Sequence, residues 1–294
     1  MFSLSYAYDR AVLRASTVPS PPNSYYDIDR PLVHSRPKVM RTHNLRELCP
    51  PFLRPAAKRL KCRAKRLLFR LVSPRVPRSR SELFSEIYRG GGYYPRRGWR
   101  GDRSSFSGPG SGLEQTAVIR AELPRLLADI GARSILDAPC GDFYWMKECH
   151  LDVDQYIGMD IVRALIDKNL HDHAAPERRF IVGDVVADSL PQVDVIFCRD
   201  CLVHLPTREA LRAIENFQHS GSTFLLTTTF PTRKVNENLD QPGEWRPLNL
   251  TQPPFGFPPP MRVLNEGCTE AHGSYADKSL GLWRLADLGA GEHQ

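Results

Sequence analysis

Short apolar runs alternate with segments of helical periodicity through the second half of the chain. The apolar runs are rich in β-branched and aromatic residues and are bounded by Asp, Gly or Pro, which predicts β-strands. The segments between them space apolar residues three and four positions apart, which predicts amphipathic helices. Alternating strands and helices predict an α/β fold with a doubly wound parallel sheet. The predicted strands lie at about 133–138, 155–160, 178–183, 193–198 and 222–229, and the predicted helices at about 143–150, 161–170 and 207–219.

The pattern changes at both ends of this alternating region. Ser111 and Glu114 fit a capping box, which predicts the start of a helix. This helix is expected to be broken or bent at Pro124 and to end near Ile130. After the fifth strand the alternation stops, because residues 231–260 are rich in Pro, Asn and Gln. Two further strands are predicted at about 261–266 and 280–285.

The first 80 residues differ from the rest of the chain. Residues 1–54 are rich in Pro, Ser and Arg without sustained periodicity, which predicts disorder, and Met40 is an alternative start of translation. Residues 55–72 space apolar side chains among Lys and Arg as an amphipathic helix would. Four roles stay open for this basic helix: contact with anionic lipid, RNA binding, organelle targeting, or a solvated surface helix.

Charge is distributed unevenly between the two parts of the chain. Residues 1–110 carry 23 Lys and Arg against 7 Asp and Glu, whereas the remaining residues carry 17 against 26. Attraction to nucleic acid or to an anionic membrane surface is therefore expected of the N-terminal extension only.

At 294 residues the chain is long enough for one well-buried α/β domain and an appendage. The predicted organisation is a disordered basic extension over 1–80, a helix and lid loop over 81–112, and one domain over 113–288. Seven widely spread cysteines indicate reduced thiols and an intracellular location, cytoplasmic unless the extension directs the chain to an organelle. The sequence contains no run of 18 apolar residues, so no transmembrane segment is predicted. The first 25 residues lack the apolar core of a secretion signal.

Acidic residues stand at the carboxyl ends of four predicted strands. The first strand runs into a turn of small residues, Ala138–Asp142, before the next predicted helix. That arrangement is typical of a nucleotide-type cofactor site, in which exposed amides at the helix N-terminus face the ligand. Because the carboxyl ends of parallel strands meet at one edge of the sheet, we expect these carboxylates to line one pocket. The four residues are Asp137, Asp160, Asp184 and Asp200.

The stretch Leu136–Asp142 resembles the first motif of class I S-adenosylmethionine-dependent methyltransferases, usually Asp-x-Gly-x-Gly-x-Gly, with Pro139 and Phe143 where glycines are usual. Further stretches resemble the second, third and fourth motifs, and others a little-characterised subgroup of these enzymes. The resemblance implies a Rossmann-like methyltransferase fold over roughly 113–288. In that fold a mostly parallel seven-stranded sheet ends in a hairpin beside the fifth strand. The further stretches are Tyr156–Asp160, Phe180–Val185, Val193–Asp200, Cys198–Leu205, Leu226–Pro231 and Tyr275–Trp283.

The resemblance also implies S-adenosylmethionine as cofactor and suggests how it is held. Asp137 holds the methionine moiety, and the backbone of residues 138–141 lies against it. Asp160 accepts the ribose hydroxyls, and Asp184 receives the adenine amino group. The full set of predicted cofactor contacts is Asp137, Ala138, Pro139, Gly141, Asp160, Ile161, Asp184, Val185 and Arg199.

The residues after the fourth strand are expected to carry the chemistry. Methyl transfer is an in-line displacement, so the protein must align the reactants and, for a hydroxyl acceptor, take a proton. His204 is the predicted general base, because its ordinary pKa lies near neutrality, and Asp200 is predicted to orient it or to act instead. The alternative is that His204 packs under the cofactor without moving a proton. No metal is predicted, since Cys198 and Cys201 lack a second ligand pair at zinc spacing.

A segment after the fifth strand is predicted to form the wall of an acceptor pocket, since Trp, Phe and Pro offer rigid apolar faces. The alternative is a proline-stiffened surface loop. The predicted function is methyl transfer to oxygen of a small-molecule or sugar-like acceptor. Two alternatives stay open: an RNA methyltransferase that uses the basic extension, and a cofactor-binding protein without catalysis. The predicted acceptor contacts are Trp245, Arg246, Asn249 and Phe255.

Overall fold

The computed structural model describes residues 79–89 and 105–289. The predicted disorder of residues 1–54 and the basic amphipathic helix at 55–72 lie outside the described residues, as does the part of the predicted lid loop before residue 105. None of the described helices is long and apolar enough to cross a membrane.

Seven strands and four helices of more than one turn form the described part of the chain. The strands are β1 (Ser134–Asp137), β2 (Gln155–Asp160), β3 (Arg178–Val182), β4 (Val195–Cys198), β5 (Phe224–Thr229), β6 (Arg262–Asn265) and β7 (Ser279–Arg284). The helices are α1 (Arg80–Arg89), α2 (Ala117–Asp129), α3 (Arg163–His173) and α4 (Thr207–His219). Short helical turns lie at Pro109–Ser111, Met146–Glu148, Leu202–His204, Glu270–Gly273 and Leu285–Asp287.

The strands form one sheet in the order β3-β2-β1-β4-β5-β7-β6. β1 to β5 are parallel, and β7 runs antiparallel between β5 and β6. The chain moves outward from β1 to β3 and then crosses to β4 on the other side of β1. A crevice therefore opens at the carboxyl ends of β1 and β4, where ligands bind in sheets of this kind. The predicted doubly wound, mostly parallel seven-stranded sheet with its C-terminal hairpin is confirmed.

Alternating side chains of the central strands pack into two apolar layers. Leu136 and Ile196 belong to the layer that contains Phe217 of α4. Their neighbours Ile135 and Phe197 belong to the opposite layer, with α2 and α3. Because both faces of the sheet are buried, the middle positions of these strands are apolar. Polar side chains lie at the strand ends.

The predicted helix at about 143–150 is wrong. The chain after β1 forms turns and one 3-10 turn, Met146–Glu148. Phe143 has a φ of 55°, and its buried ring packs against Tyr156 and Phe180 at centroid distances of 5.4 and 5.1 Å. A left-handed residue whose ring is fixed in the core cannot continue a right-handed helix, so the segment stays irregular.

The capping-box prediction for the first domain helix is also wrong. Ser111 lies in the turn Pro109–Ser111, and α2 begins only after Thr116, which caps no amide with its side chain. The Thr116 hydroxyl donates instead to the Gly112 carbonyl at 2.8 Å. Pro124 does not break the helix, which runs continuously from Ala117 to Asp129.

Helix α1 packs against the domain near the carboxyl ends of the strands. Ser81 Oγ donates to the Ile161 carbonyl at 3.3 Å. Phe84 packs on the apolar layer that contains α4, and a Cβ placed at Gly243 would lie 3.0 Å from Ile87 Cδ1. α1 therefore forms one side of the crevice.

Candidate functional site

A cavity of about 650 Å³ lies over the carboxyl ends of β1 to β4. This volume is in the range of cavities that bind cofactors and small substrates. The four strand-end carboxylates Asp137, Asp160, Asp184 and Asp200 line it together. The other sequence-predicted residues that line it are Pro139, Gly141, Ile161, Val185, Arg199, His204 and Trp245.

Asp137 ends β1 and is only 3% exposed. The Tyr156 hydroxyl donates a hydrogen bond to its Oδ2 atom. Burial raises the pKa of Asp137 to about 7, although the bond from Tyr156 opposes this shift. Because the ionised form is costly in this environment, a cation placed beside Asp137 would be stabilised strongly.

Asp160 ends β2 and is held by two backbone amides. Gly141 N donates to Oδ2 at 3.0 Å, and Val162 N donates to Oδ1 at 2.9 Å. Burial raises the pKa of Asp160 to about 6 despite these bonds. An ionised carboxylate offers about four lone-pair sites, so both oxygens can accept further hydrogen bonds from a ligand.

The turn after β1 differs from the predicted helix N-terminus. Its amides are largely engaged within the protein, since Cys140 N donates to the Met159 carbonyl at 2.8 Å and Gly141 N donates to Asp160. Ala138, a predicted cofactor contact, is fully buried and does not line the cavity. The expectation of exposed amides at a helix start is therefore wrong, because no α-helix begins here.

Asp184 follows β3 and is paired with α1. Arg80 Nη2 lies 2.7 Å from Asp184 Oδ2, and Val186 N donates to Oδ1 at 2.9 Å. Arg80 Nη1 also lies 3.5 Å from Glu209 Oε1. The predicted acceptor of the adenine amino group therefore shares its oxygens with a guanidinium that itself lines the cavity.

The loop at 105–112 covers another side of the cavity. Near its start, Phe106 N donates to Asp142 Oδ2 at 2.6 Å. Near its end, the Gly110 carbonyl accepts a hydrogen bond from Arg199 Nη2 at 2.8 Å. The loop therefore links the turn after β1 to the end of β4.

Gly141 is required by this loop as well as by its own backbone. Its φ is 55°, a left-handed conformation that favours glycine. A Cβ at this position would collide with the Ser107 hydroxyl, which lies 3.2 Å from the Tyr88 hydroxyl of α1. The absence of a side chain lets the turn, the loop and α1 meet.

A buried ionic cluster lies where β4 ends and β7 begins. Arg199 pairs with Glu266 at 2.8 Å, and Lys278 Nζ lies 2.6 Å from Asp200 Oδ2 and 3.4 Å from Glu266 Oε2. Burial opposes the charge of both cations, yet the neighbouring carboxylates raise the pKa of Arg199 and of Lys278. Arg199 is therefore held by protein carboxylates as well as lining the cavity. These four residues are called the ionic cluster below.

Asp200 has the most constrained backbone of the cluster. Its φ is 54°, and its amide donates to Thr228 Oγ1 at 2.8 Å. Burial opposes its ionisation, but the charges of Lys278 and Arg199 outweigh burial and lower the pKa of Asp200 to about 2. Asp200 is thus ionised throughout the physiological range and is a poor proton acceptor.

His204 lines the cavity from the turn after β4. Its Nδ1 atom lies 2.8 Å from the Glu244 carbonyl. Because a carbonyl can only accept, Nδ1 carries the hydrogen and Nε2 the basic lone pair. Burial lowers the pKa of His204 to about 4, so the ring is neutral at physiological pH. The carbonyl of Glu244 orients the ring, a role that the sequence assigned to Asp200.

Of the four predicted acceptor contacts, Trp245 alone lines the cavity. Arg246 is buried and donates to the carbonyls of Leu202 and Glu237, so it fastens its loop. Asn249 is buried and donates to the Pro231 and Arg233 carbonyls, while Phe255 packs against the apolar layer that contains α4. The prediction that Arg246, Asn249 and Phe255 contact the acceptor is not supported, because the loop turns these side chains inward.

Several cavity-lining residues have no role in the sequence interpretation. No local pattern marks the α1 residues, because they reach the cavity only through the tertiary fold. Tyr275 and Lys278 belong to the subgroup motif Tyr275–Trp283, which indicated the region without a role for either residue. The additional lining residues used below are Arg80, Phe84, Tyr88, Glu114, Phe230, Glu270, Tyr275 and Lys278.

Within residues 79–89 and 105–289, no group of three or more His, Cys, Asp and Glu side chains is arranged to hold a metal ion. Cys198 is buried and Cys201 lines the cavity. The hydrogen bond with Cys198, followed by burial, raises the pKa of the Cys201 thiol. A protonated thiol is a poor metal ligand and a poor nucleophile.

No family model and no curated protein matches this chain. Solved methyltransferase structures are similar to it at low identity. Magnesium protoporphyrin IX methyltransferase from Synechocystis PCC 6803, solved with S-adenosylhomocysteine, is 18% identical with a TM-score of 0.34 over 41% of this chain and 57% of its own. Human N-acetylserotonin methyltransferase, solved with S-adenosylmethionine, is 14% identical with a TM-score of 0.39 over 56% of this chain and 54% of its own.

An O-methyltransferase family protein from Burkholderia thailandensis is 18% identical with a TM-score of 0.41 over 60% of this chain and 57% of its own. The chain thus spans little more than half the length of these proteins. The likeness assigns no ligand to this chain. By its own sheet order and C-terminal hairpin, the chain has the Rossmann-like fold of class I methyltransferases.

Proposed function

We propose that this chain transfers a methyl group from S-adenosylmethionine to an oxygen atom of a small-molecule or sugar-like acceptor. The observation that supports this best is the row of strand-end carboxylates in one cavity at the switch point between β1 and β4. Asp137 and Asp160 receive their described hydrogen bonds from a phenol and from backbone amides. A cationic ligand would therefore add a counter-charge next to two buried carboxylates.

The residues fit the cofactor in position and in chemistry. Asp160 is fixed by two amides and has lone pairs left for the ribose hydroxyls. Asp137 favours the positively charged methionine end, because burial makes its ionised form costly without a cation. Asp184, held by Arg80, is proposed for the adenine amino group, with Val185 beside the ring.

When bound, S-adenosylmethionine supplies a methyl carbon that passes from sulfur to the acceptor oxygen while the hydroxyl proton leaves. His204 Nε2 is the proposed proton acceptor, since Nδ1–H is held by the Glu244 carbonyl. A pKa of about 4 keeps His204 unprotonated but makes it a weak base. Asp200 is proposed to accept a hydrogen bond from the acceptor, because its low pKa favours the carboxylate over the acid.

The low pKa values of Asp200 and His204 favour one alternative, cofactor binding without turnover. The RNA alternative depends on the basic extension, which lies outside the described residues. Among the described residues that line the cavity, the three cations Arg80, Arg199 and Lys278 are each paired with carboxylates. A phosphate backbone would find no unpaired partner among them.

The test is calorimetric titration of the full chain with S-adenosylmethionine and, separately, with NAD, followed by incubation with cell extract and a methyl-labelled donor. The expected result is binding of S-adenosylmethionine alone and label in a small molecule, with label lost in His204→Ala. Binding without any labelled product would favour the non-catalytic alternative, and label in RNA would favour the RNA enzyme. Binding of NAD alone would overturn the proposal.

A further inference from the structure

Three aromatic side chains form a wall of the cavity beside His204. Phe230, Trp245 and Tyr275 all line the cavity. The Trp245 and Tyr275 ring centroids lie 4.8 Å apart, and Phe230 lies 5.9 Å from Trp245 and 6.2 Å from Tyr275. Phe230 is fully buried, whereas Trp245 is 38% exposed. This group is called the aromatic wall.

The aromatic wall is fastened to the turn that carries His204. Gly243 N donates to the His204 carbonyl at 2.9 Å, and Arg246 N donates to the Val203 carbonyl at 3.1 Å. The Glu244 carbonyl between them accepts from the His204 ring. Trp245 is therefore fixed next to the proposed proton acceptor, so a molecule lying on its ring would have its reactive end near His204.

The other side of the aromatic wall is fastened to the strand pair β5 and β7. The Arg233 guanidinium lies 5.8 Å from the Tyr275 ring centroid and 3.7 Å from Asp277 Oδ1. Thr232 Oγ1 donates to Asp277 Oδ2 at 2.5 Å, and Lys278 N donates to the Tyr275 carbonyl at 2.9 Å. The aromatic wall is therefore linked to the ionic cluster through the turn from Tyr275 to Lys278.

Carboxylates outnumber cations when the ionic cluster and Glu270 are taken together. A Cβ placed at Gly110 would lie 3.1 Å from Glu270 Oε2, 3.5 Å from Lys278 Nζ and 3.7 Å from Asp200 Oδ2, so these groups converge. Lys278 and Arg199 are each shared between Asp200 and Glu266. Glu270 adds a further carboxylate, so these five residues carry one more negative charge than positive. Arg246, directly after Trp245, is a buried cation that does not line the cavity.

Acidic residues also outnumber basic residues in the lining of the whole cavity. Among the described residues that line it, seven are carboxylic acids and three are cations, and each of these cations is already paired. An anionic acceptor would have to enter this field without an unpaired cation to bind it, at a cost in desolvation and repulsion. A neutral or positively charged molecule has no such cost, and a cation would also be attracted to the aromatic faces.

We infer that the acceptor subsite takes a flat, hydroxyl-bearing molecule that is neutral or cationic and that lies on the Trp245 ring with its hydroxyl toward His204 and Asp200. The Tyr275 ring is inclined by 66° to that of Trp245, so it bounds the molecule at its side. The inference rests on the proposed function for the fate of the hydroxyl. The shape and charge preference rest on the aromatic wall and the carboxylates alone. Carboxylate-bearing and phosphate-bearing acceptors are excluded by this assignment.

The test uses three probes with the same hydroxyphenyl ring and tails of different charge: tyramine, 2-(4-hydroxyphenyl)ethanol and 4-hydroxyphenylacetate. Each is titrated into the full chain, with and without S-adenosylhomocysteine, and its Kd is measured by ligand-observed NMR. The neutral and cationic probes are expected to bind at least about tenfold more tightly than the anionic one. Equal or tighter binding of 4-hydroxyphenylacetate, or binding of none of the three, would overturn the inference.

Matched variants assign the preference to the named residues. Trp245→Ala is expected to weaken the neutral probe about tenfold, and Trp245→Phe, which keeps a flat ring, to weaken it less than threefold. Glu114→Gln removes an exposed carboxylate of the cavity lining and is expected to narrow the gap between cationic and anionic probes without affecting the fold. Equal effects of the two Trp245 variants would show that ring stacking is not the source of affinity.

The design separates this inference from the proposed function. If S-adenosylhomocysteine binds and the extract assay gives a labelled product but the probes do not follow the charge order, the subsite is wrong and methyl transfer stands. If the probes follow the charge order but neither S-adenosylhomocysteine nor S-adenosylmethionine binds, the subsite stands and methyl transfer fails.

Discussion

The two ends of the cavity use buried carboxylates in opposite ways. At the end formed by β1 and β2, Asp137 and Asp160 have pKa values raised to about 7 and about 6, because burial dominates. At the end formed by β4 and β7, Asp200 has a pKa lowered to about 2, because Lys278 and Arg199 outweigh burial. The residue type and the strand-end position are the same. The neighbours and the burial differ, since Asp200 lies beside two cations and its side chain is 24% exposed, whereas Asp137 and Asp160 are 3% and 4% exposed.

The different charge balance at the two ends indicates different roles for them. At the end with raised pKa values, burial makes the ionised carboxylates costly, so a bound cation would stabilise their ionised form. The ionic cluster balances its own charges and holds the loop at 105–112 and the start of β7 in place. The first end is therefore proposed to contribute mainly to cofactor affinity. The second end contributes to stability and shape, with Asp200 also proposed to contact the acceptor.

The largest expected effect is the loss of stability when the ionic cluster is broken. Lys278→Met leaves Asp200 and Glu266 with Arg199 as their remaining cation in the cluster, and breaking a buried ion pair typically costs about 3–5 kcal/mol. Urea unfolding of the full chain at pH 8 should show a loss of about this size. Asp137→Asn should keep or increase the free energy of unfolding, since it removes a buried charge and retains an acceptor for Tyr156.

The control for this pair is Lys147→Met, which removes an exposed lysine and should change the free energy of unfolding by less than about 0.5 kcal/mol. Similar losses in Lys278→Met and Asp137→Asn would show that the two ends of the cavity do not differ as described.

The next effect in size separates binding from catalysis. Asp160→Ala removes the carboxylate proposed for the ribose hydroxyls, and hydrogen bonds to a charged group contribute about 1.5–3 kcal/mol each. Affinity for S-adenosylmethionine should fall about a hundredfold or more, measured by calorimetry. His204→Ala should leave the affinity largely intact, because His204 is proposed to act on the acceptor.

Asp154→Ala is the control. This exposed aspartate precedes β2 at the amino-terminal ends of the parallel strands, away from the cavity, and pairs with Arg133. It should bind the cofactor normally. If Asp160→Ala and His204→Ala behaved alike, the assignment of binding and catalytic roles would be wrong.

The third effect is an opposite response of affinity and stability to pH. Affinity for S-adenosylmethionine should increase about tenfold from pH 5.5 to 8, as Asp160 and Asp137 ionise through about 6 and 7. Stability from the same groups should fall, because a pKa raised by folding gives stability that is present at low pH and lost as pH rises through the folded value. Calorimetry and thermal unfolding across this range measure the two quantities.

His204 contributes with the opposite sign at lower pH. Its folded pKa of about 4 lies below the unfolded value, so its contribution to stability is lost as pH falls from about 6.5 to 4. Between pH 6.5 and 8 the pH dependence of the free energy of unfolding should therefore come mainly from Asp137 and Asp160. Asp137→Asn should flatten the stability curve there, and an unchanged slope would contradict the raised pKa of Asp137.

The fold and one half of the site could be predicted from local sequence. Apolar runs with acidic ends located the strands and their end carboxylates, and the parallel sheet then brought Asp137 and Asp160 into one cavity. Local patterns failed where tertiary contacts decide the conformation. The sequence around Phe143 predicts a helix. The Phe143 backbone is left-handed and its ring packs in the core, so no helix forms there.

The ionic partners of Asp200 and Asp184 could not be predicted, because they are distant in sequence. Lys278 is 78 positions from Asp200, and Arg80 is 104 positions from Asp184. The predicted acceptor contacts differ in their placement for a related reason. In the segment 243–258, Arg246 and Asn249 are buried against loop carbonyls, whereas Trp245 lines the cavity. Composition identified this segment, and only the fold showed which of its side chains lines the cavity.

The smallest expected effect concerns Asp184, which is intermediate between the two ends because its cation comes from α1. The Arg80 and Asp184 side chains are 22% and 17% exposed, and a pair of this kind contributes about 1 kcal/mol or less. Arg80→Ala should weaken S-adenosylmethionine binding about threefold and accelerate amide hydrogen exchange in α1, because one wall of the cavity loses its link to β3. Arg125→Ala, which breaks the exposed pair with Glu122, should change neither quantity. Faster exchange in α1 with unchanged affinity would show that α1 covers the cavity without contributing to cofactor binding. Tighter binding would show instead that Arg80 competes with the adenine amino group for Asp184.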